Sequence, residues 1–220
     1  MNINFGSCSP VSTVDDYGHS SCVVFFRGCN LKCWYCHNKS YISGEDFIDT
    51  NVVKEIIYSS SKVVSSVTFS GGEPLLQVDA LSELIDYAHS LGLDVCLYTS
   101  GNNPQELKQI AERVDRCYVD FKLEDAMIDE EDNMYLRHVM RSLSILDDAH
   151  VETMVTCVVF DVDPTTIFAV QDIQAFIGDV PLTVVQGIAY GRQPLTLSEM
   201  QITFEHCMIR TKEDGVVINE

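Results

Sequence analysis

A length of 220 residues bounds the chain to one domain or at most two, and we treat residues 1–220 as a single domain. With 46% hydrophobic residues the chain can bury a sizeable core, whereas 33 acidic against 14 basic residues, a formal charge of −19, disfavour a nucleic-acid partner. No window approaches the ~18 apolar residues of a membrane span and no signal peptide is visible, so we expect a cytoplasmic protein without a membrane contact.

Six apolar runs follow one another along the chain, and each precedes a segment with a helical pattern. They are rich in Val, Thr, Phe and Tyr, which is typical of strands buried on both faces of a parallel sheet. The runs are Cys22–Phe26, Val63–Phe69, Asp94–Thr99, Cys117–Phe121, Glu152–Phe160 and Leu182–Gln186. Six βα units predict an α/β fold with right-handed crossovers, too few units for a closed eight-stranded barrel. The pattern leaves open whether the sheet is flat or forms a partial barrel.

The segments between the runs carry helix signals of their own. One helix is predicted to stop at Gly92, and another to begin at the Asn103-Pro104 pair and continue through Val114. A further helix is expected around residues 136–143. Thr196 and Glu199 form a capping box, and the spacing of the apolar residues that follow predicts a helix reaching Cys207 and Met208.

Three of the nine cysteines form a compact C-x-x-x-C-x-x-C group directly after the first run: Cys29, Cys33 and Cys36. The odd count argues against a set of disulfides. Three thiolates can hold three irons of a [4Fe–4S] cluster, which usually takes four cysteines, so that one iron stays open to a substrate or cofactor. A zinc site completed by His37 is the alternative for this loop, and a non-enzymatic iron–sulfur electron carrier is the alternative role.

The other six cysteines are scattered singly. Four lie within apolar runs, where a free cysteine behaves as a small buried hydrophobe, and we expect them in the core: Cys22, Cys96, Cys117 and Cys157. Cys8 and Cys207 carry no assignment.

Polar groups follow the ends of the later runs as well. Functional residues gather at the carboxyl ends of parallel strands, so groups that follow several strands are expected to meet on one rim. The candidates are Gly71-Gly72-Glu73-Pro74, Thr99-Ser100, Asp120 with Lys122, and Gln186. The glycines would allow close backbone approach to a ligand, and Glu73 offers an acceptor for an ammonium group.

The cysteine triplet with Tyr35 before its last member, followed by Gly71-Gly72-Glu73-Pro74, resembles the signature of the radical S-adenosylmethionine superfamily. The resemblance covers nearly the whole chain in motif order and number of βα units. It implies a partial (βα)₆ TIM-like barrel, and a [4Fe–4S] cluster ligated by the three cysteines with S-adenosylmethionine at the open iron. Reductive cleavage would then give a 5′-deoxyadenosyl radical, with the electron coming from a low-potential donor such as flavodoxin or ferredoxin. The implied cofactor pocket comprises Tyr35, Gly71, Gly72, Glu73, Thr99, Ser100, Asp120, Lys122 and Gln186.

A narrower resemblance comes from the flanks of the triplet. Arg27-Gly28-Cys29-Asn30 and Cys36-His37-Asn38 resemble the glycyl-radical-enzyme activating enzymes, of the type that activates anaerobic ribonucleotide reductase. This implies a glycyl-radical enzyme as partner and oxidoreductase chemistry. The family's Pro is missing from Asp15-Asp16-Tyr17-Gly18. The alternative is a radical enzyme acting on a small molecule or RNA precursor, as in the similarly short 7-carboxy-7-deazaguanine synthases.

Overall fold

The computed structural model describes residues 1–123, 134–188 and 193–219, and within them the fold is a single ten-stranded sheet flanked by helices. The strands are β1 (Asn2–Ser12), β2 (Ser21–Phe26), β3 (Phe47–Asp49), β4 (Ser66–Gly71), β5 (Asp94–Thr99), β6 (Arg116–Phe121), β7 (Glu152–Val159), β8 (Leu182–Gln186), β9 (Cys207–Thr211) and β10 (Gly215–Asn219). The helices are α1 (Thr50–Ser60), α2 (Val78–Ser90), α3 (Pro104–Leu107), α4 (Met134–Asp148), α5 (Pro164–Ile177) and α6 (Leu197–Thr203).

Seven strands run parallel in the order β2-β4-β5-β6-β7-β8-β9, and three antiparallel strands extend the two edges. The six runs predicted from sequence correspond to β2 and β4–β8, so the α/β class is confirmed. The sheet is open, with β3 at one edge and β10 at the other. None of the helices in the described part of the chain has both the length and the apolar character needed to cross a bilayer.

One face of the sheet packs against the helices and the other encloses a polar interior. Val95 and Leu97 of β5 join the main hydrophobic core, whereas Tyr98 on the opposite face stacks on Tyr118 of β6 with ring centroids 4.6 Å apart. Arg210 on β9 acts electrostatically on Tyr98. In a flat sheet two strands four places apart would be separated by about 19 Å. Tyr98 on β5 and Arg210 on β9 are four strands apart, yet Arg210 acts on Tyr98. The two strands must therefore be closer than a flat sheet allows, so the sheet curls on itself as a partial barrel requires.

The loop between β1 and β2 closes the amino end of this interior. Asp16 is fully buried and pairs in bidentate fashion with Arg116, at 2.9 Å to Nε and 3.0 Å to Nη2. Arg116 also contacts Asp94 at 3.0 Å, and the Tyr17 amide donates to the Tyr118 hydroxyl at 2.9 Å. The motif Asp15-Asp16-Tyr17-Gly18 thus anchors the β1–β2 loop, which forms a plug across the amino end, or base, of the barrel. The candidate residues lie at the opposite end, the rim formed by the carboxyl ends of the strands.

The predicted helix at Cys207 and Met208 was wrong. The capping box is present, with reciprocal hydrogen bonds between Thr196 and Glu199, but α6 ends at Thr203 because Phe204 is already extended. Cys207 begins β9, and its apolar residues alternate with the strand period. A capping box specifies where a helix begins, whereas its end depends here on the ladder that β9 forms with β8 and β10.

Two further segments differ from the sequence expectation. The helix predicted from Asn103 through Val114 is divided into the short α3 and a 3₁₀ turn at Ala111–Arg113. β1 was not predicted, because its small polar residues give no clear apolar alternation, yet it pairs with both β2 and β3.

Candidate functional site

A cavity of about 170 Å³ opens at the carboxyl ends of the parallel strands. Ten of the twelve residues predicted for the site line it: Cys29, Cys33, Tyr35, Cys36, Gly71, Gly72, Thr99, Ser100, Asp120 and Lys122. They come from the loop after β2 and from the ends of β4, β5 and β6. A larger and shallower groove between α1 and α2, lined by Lys54, Tyr58 and Tyr87, contains none of the predicted residues.

The cysteine loop is fixed at both ends by hydrogen bonds. The Gly28 amide donates to the Tyr41 carbonyl at 2.7 Å, directly before the first cysteine. At the far end, Asn38 Nδ2 donates to the Gly71 carbonyl at 2.9 Å. Arg27 donates to the Ser40 carbonyl at 2.6 Å and lies over the Tyr41 ring. The Arg27-Gly28 and His37-Asn38 flanks therefore include residues that hold the loop in place.

Burial raises the pKa of two thiols of this loop, Cys29 and Cys33. It raises the pKa of Cys29 to about 11, although the Leu31 amide that donates to its sulfur offsets part of the effect. Burial also raises the pKa of Cys33, against the opposing charge of Lys122. A metal group bound here would have to displace these protons, so its binding would be coupled to proton release.

The donor set fits a cluster better than a single ion. Within the described residues, no three His, Cys, Asp or Glu side chains are grouped as a mononuclear metal site requires. A zinc site would need four ligands around one point. Three thiols arranged round one cavity match a cubane whose irons are bound separately, with one iron left for another ligand.

Gly71 and Gly72 bring the end of β4 against the strand that leads into the cysteine loop. A Cβ on Gly71 would lie 2.4 Å from the Phe26 backbone, and one on Gly72 would lie 2.0 Å from the Gly28 carbonyl oxygen. The Gly72 amide donates to Phe26 at 2.9 Å and the Glu73 amide to Gly28 at 2.8 Å. The two glycines thus allow the end of β4 to approach the protein's own backbone closely. These contacts fix Gly28 and thereby set the position of the first cysteine, Cys29.

Glu73 is only 1% exposed and is not among the residues that line the cavity. Its carboxylate accepts from the Ser100 amide at 2.9 Å, the Ser100 hydroxyl at 2.7 Å and the Thr99 hydroxyl at 3.0 Å. Burial raises the pKa of Glu73, and the Ser100 donors offset part of that rise. In this arrangement Glu73 positions Thr99 and Ser100, so its expected contact with an ammonium group gains no support.

Asp120 and Lys122 form an ion pair with each other on the cavity wall. Burial by itself would lower the pKa of Lys122, but the Asp120 carboxylate outweighs it and raises that pKa, so Lys122 is a cation at neutral pH. Its ammonium lies 5.5 Å from the Tyr35 ring centroid. Tyr135 accepts from the Lys122 amide at 2.9 Å and donates to the Ser100 carbonyl at 3.0 Å, which links the ends of β5 and β6.

Tyr35 carries a buried hydroxyl with no hydrogen-bond partner among the described residues. Its ring packs against Phe160 at 4.9 Å and Trp34 at 5.4 Å between centroids. Burial, with the Asp120 carboxylate as a smaller contribution, raises the pKa of Tyr35. Leaving a buried hydroxyl unsatisfied costs about 1–3 kcal/mol, and a ligand that accepts a hydrogen bond from it would remove that cost. The Tyr35 hydroxyl is therefore a candidate donor to a ligand in the cavity.

Gln186 does not join the cavity wall. Its amide nitrogen donates to the Leu195 carbonyl, and its oxygen accepts from the Lys212 amide at 3.0 Å. Both polar ends therefore fasten β8 to the chain that follows it, and its expected role as a cofactor contact gains no support. Tyr98 lines the cavity and was missed, although its period-2 alternation with Cys96 on β5 could have identified it.

Comparison with known proteins places these residues in a family. Residues 15–139, more than half of the chain, match the family model described as a 4Fe–4S single cluster domain. The match includes the cysteine triplet, the Gly71-Gly72-Glu73 turn and the Asp120–Lys122 pair.

Three curated relatives illustrate the range of the similarity. A putative glycyl-radical enzyme activating enzyme of Methanocaldococcus jannaschii is 34% identical over 115 residues, which cover 51% of this chain and 47% of that protein. The pyruvate formate-lyase-activating enzyme of Clostridium pasteurianum is 30% identical over 106 residues, covering 46% and 44%. The 7-carboxy-7-deazaguanine synthase of Thermococcus kodakarensis is 25% identical over 207 residues, covering 84% and 79%. This chain therefore spans about half the length of the two activating enzymes.

Solved structures share the fold at lower identity. A structure of TYW1 with a lysine-pyruvate adduct has a TM-score of 0.62 at 17% identity and covers 91% of this chain and 80% of its own. QueE from Escherichia coli has a TM-score of 0.51 at 14% identity, covering 84% and 83%. The enzyme anSMEcpe with bound AdoMet and a peptide reaches 0.56 at 18% identity, covering 79% and 54%. At these identities the likeness is one of fold.

Proposed function

Because this chain belongs to the radical S-adenosylmethionine superfamily, we propose that it reductively cleaves S-adenosylmethionine at a [4Fe–4S] cluster held by Cys29, Cys33 and Cys36. When bound, the cluster and S-adenosylmethionine supply a 5′-deoxyadenosyl radical that abstracts hydrogen. The observation that carries the proposal is the convergence of the three cysteines with the polar ends of β4, β5 and β6 on one cavity. A low-potential donor such as flavodoxin or ferredoxin would supply the electron.

The residues of the cavity wall have separate tasks in this proposal. The cysteines hold three irons and leave one for the cofactor. Lys122 remains charged beside Asp120 and suits the cofactor carboxylate, while Asp120 suits its ammonium group. Tyr35 offers a hydroxyl that has no hydrogen-bond partner among the described residues, and Glu73 keeps Thr99 and Ser100 at the rim.

The test is anoxic reconstitution followed by dithionite and S-adenosylmethionine, with 5′-deoxyadenosine measured by chromatography. Cys33→Ala should lose both iron and product. Cys96→Ala is the matched control, because Cys96 is buried in β5 and does not line the cavity. A wild-type protein with a full cluster that forms no 5′-deoxyadenosine would overturn the proposal.

For the hydrogen donor, we propose a glycine Cα–H of a partner glycyl-radical enzyme. The similarity to two proteins named as activating enzymes, at 34% and 30% identity, supports it, as do the flanks of the cysteine triplet. The measurement is the EPR signal of a glycyl radical in a candidate partner after incubation with the reduced enzyme and S-adenosylmethionine. Cleavage without any glycyl radical in the partner would count against it.

A small-molecule substrate is the second candidate. The observation in its favour is the extent of similarity to the 7-carboxy-7-deazaguanine synthase, which runs over 84% of this chain and 79% of that protein. The matches to the activating enzymes stop at about half of the chain. Substrate-dependent transfer of deuterium into 5′-deoxyadenosine, from a labelled small molecule or a labelled partner glycine, separates the two candidates.

A further inference from the structure

The last parallel strand carries a cation toward the interior of the barrel. In β9, Cys207 and Ile209 join the core against the helices, so Arg210, between Ile209 and Thr211, belongs to the opposite face of the sheet. The ladder pairs Val158 with Val185 and Val185 with Arg210. Val158, two strands away in this ladder, lines the cavity, so the register places Arg210 on the cavity side of the sheet, although Arg210 is not itself among the lining residues.

Arg210 is half-buried on this face and lies close enough to Tyr98 to act on it electrostatically. It offsets part of the rise that burial causes in the pKa of Tyr98, a residue of the cavity wall on β5. Asp15 also acts on Tyr98 electrostatically, but in the described residues no carboxylate lies within ion-pair distance of Arg210. Asp15 instead accepts a hydrogen bond from Ser12.

This arrangement is unlike that of the other interior cations. Arg116 is paired with Asp16 and Asp94 at the base, and Lys122 is paired with Asp120 at the rim. Arg210 differs from these two cations in having no carboxylate partner within residues 1–123, 134–188 and 193–219, so its guanidinium is a candidate group for binding an anion. A guanidinium presents its donors in a fork that matches the two oxygens of a carboxylate.

We propose that Arg210 binds a carboxylate of the substrate and thereby orients the substrate toward the cysteine loop. The inference rests on the proposed function, since the cavity is taken as the site of radical formation. Lys122 is already paired with Asp120 at the rim, and in this proposal it serves the cofactor while Arg210 serves the substrate. The carboxylate belongs either to a small molecule or to an acidic side chain beside the target glycine of a partner, and both sources present the same chemistry to Arg210.

The experiment measures the binding of two matched probe pairs to reconstituted protein with S-adenosylmethionine, by anoxic equilibrium dialysis. The first pair is 7-carboxy-7-deazaguanine and 7-deazaguanine, which differ only in the carboxylate. The second is a glycine-centred peptide with Asp beside the glycine and the same peptide with Asn. The variants are Arg210→Gln and, as control, Arg141→Gln, which removes the same charge from an exposed position on α4.

We expect wild type and Arg141→Gln to bind the acidic member of one pair about tenfold more tightly than its neutral partner, and Arg210→Gln to lose that preference. The pair that shows the preference identifies the source of the carboxylate. Absence of a preference in wild type for both pairs, or its survival in Arg210→Gln, overturns the proposal.

A second readout separates this proposal from the proposed function. Arg210→Gln should retain its iron and cleave S-adenosylmethionine in the absence of substrate with an unchanged KM. A tenfold higher KM for S-adenosylmethionine would make Arg210 a cofactor contact and would overturn the substrate assignment. If wild type cleaves no S-adenosylmethionine, the proposed function fails, while the carboxylate preference can still be measured.

Discussion

Replacing Gly72 by alanine tests how the fold positions the cluster loop. The new Cβ would lie 2.0 Å from the Gly28 carbonyl oxygen, so the two segments must separate by about 1.4 Å to reach an ordinary contact of 3.4 Å. That separation stretches the Gly72–Phe26 and Glu73–Gly28 hydrogen bonds, now 2.9 and 2.8 Å. Two weakened hydrogen bonds and the overpacking together should cost about 2–6 kcal/mol.

The loss should extend to iron binding, because Gly28 directly precedes the first cysteine. Urea unfolding of the cluster-free protein gives the free energy, and iron per chain after anoxic reconstitution gives the functional effect. Gly92→Ala is the control: no atom lies within 4 Å of its Cβ position, and only its φ of +73° opposes alanine. That control should cost about 1 kcal/mol and keep its iron. If Gly72→Ala matches Gly92→Ala in both measurements, the role given to the glycine is refuted.

Three other substitutions test neighbouring parts of the account. Tyr35→Phe should stabilise the cluster-free protein by up to about 1–3 kcal/mol, because it removes a buried hydroxyl that has no partner among the described residues. The same variant should raise the KM for S-adenosylmethionine, and a destabilised variant with an unchanged KM would contradict both points. Arg116→Met should cost about 3–5 kcal/mol in urea unfolding, because it leaves Asp16 buried without its partner. Arg113→Met, which breaks a more exposed ion pair with Asp86, should cost under about 1 kcal/mol, and equal losses would refute the role given to the β1–β2 loop. Lys122→Met should keep its iron but raise the KM for S-adenosylmethionine in steady-state assays, and an unchanged KM would exclude a cofactor contact.

The fold class and most of the site could be predicted from local patterns. Continuous apolar runs identified six of the seven parallel strands. The rule that functional groups gather at strand ends predicted a shared site, and ten of the predicted residues do line one cavity. Residues such as Asp120 and Lys122 were found because their position at the end of β6 is itself encoded locally.

The failures have a common physical origin, since the partners of a polar group depend on tertiary contacts. Glu73 and Gln186 were placed at the correct strand ends, but their polar atoms are engaged by Ser100 and Lys212, far along the chain. Cys207 was assigned to a helix because its spacing suits one, and the ladder with β8 overrides that spacing. Arg210 carries no local motif, and its interest emerges only from the register.

The central claim is that three cysteines hold a four-iron cluster whose remaining iron binds S-adenosylmethionine. Mössbauer spectroscopy of protein reconstituted with ⁵⁷Fe tests it most directly, because it reports on each iron separately. The account predicts three irons in similar sulfur environments and a fourth whose isomer shift changes when S-adenosylmethionine is added. A mononuclear site, or four irons that do not respond to S-adenosylmethionine, would contradict it.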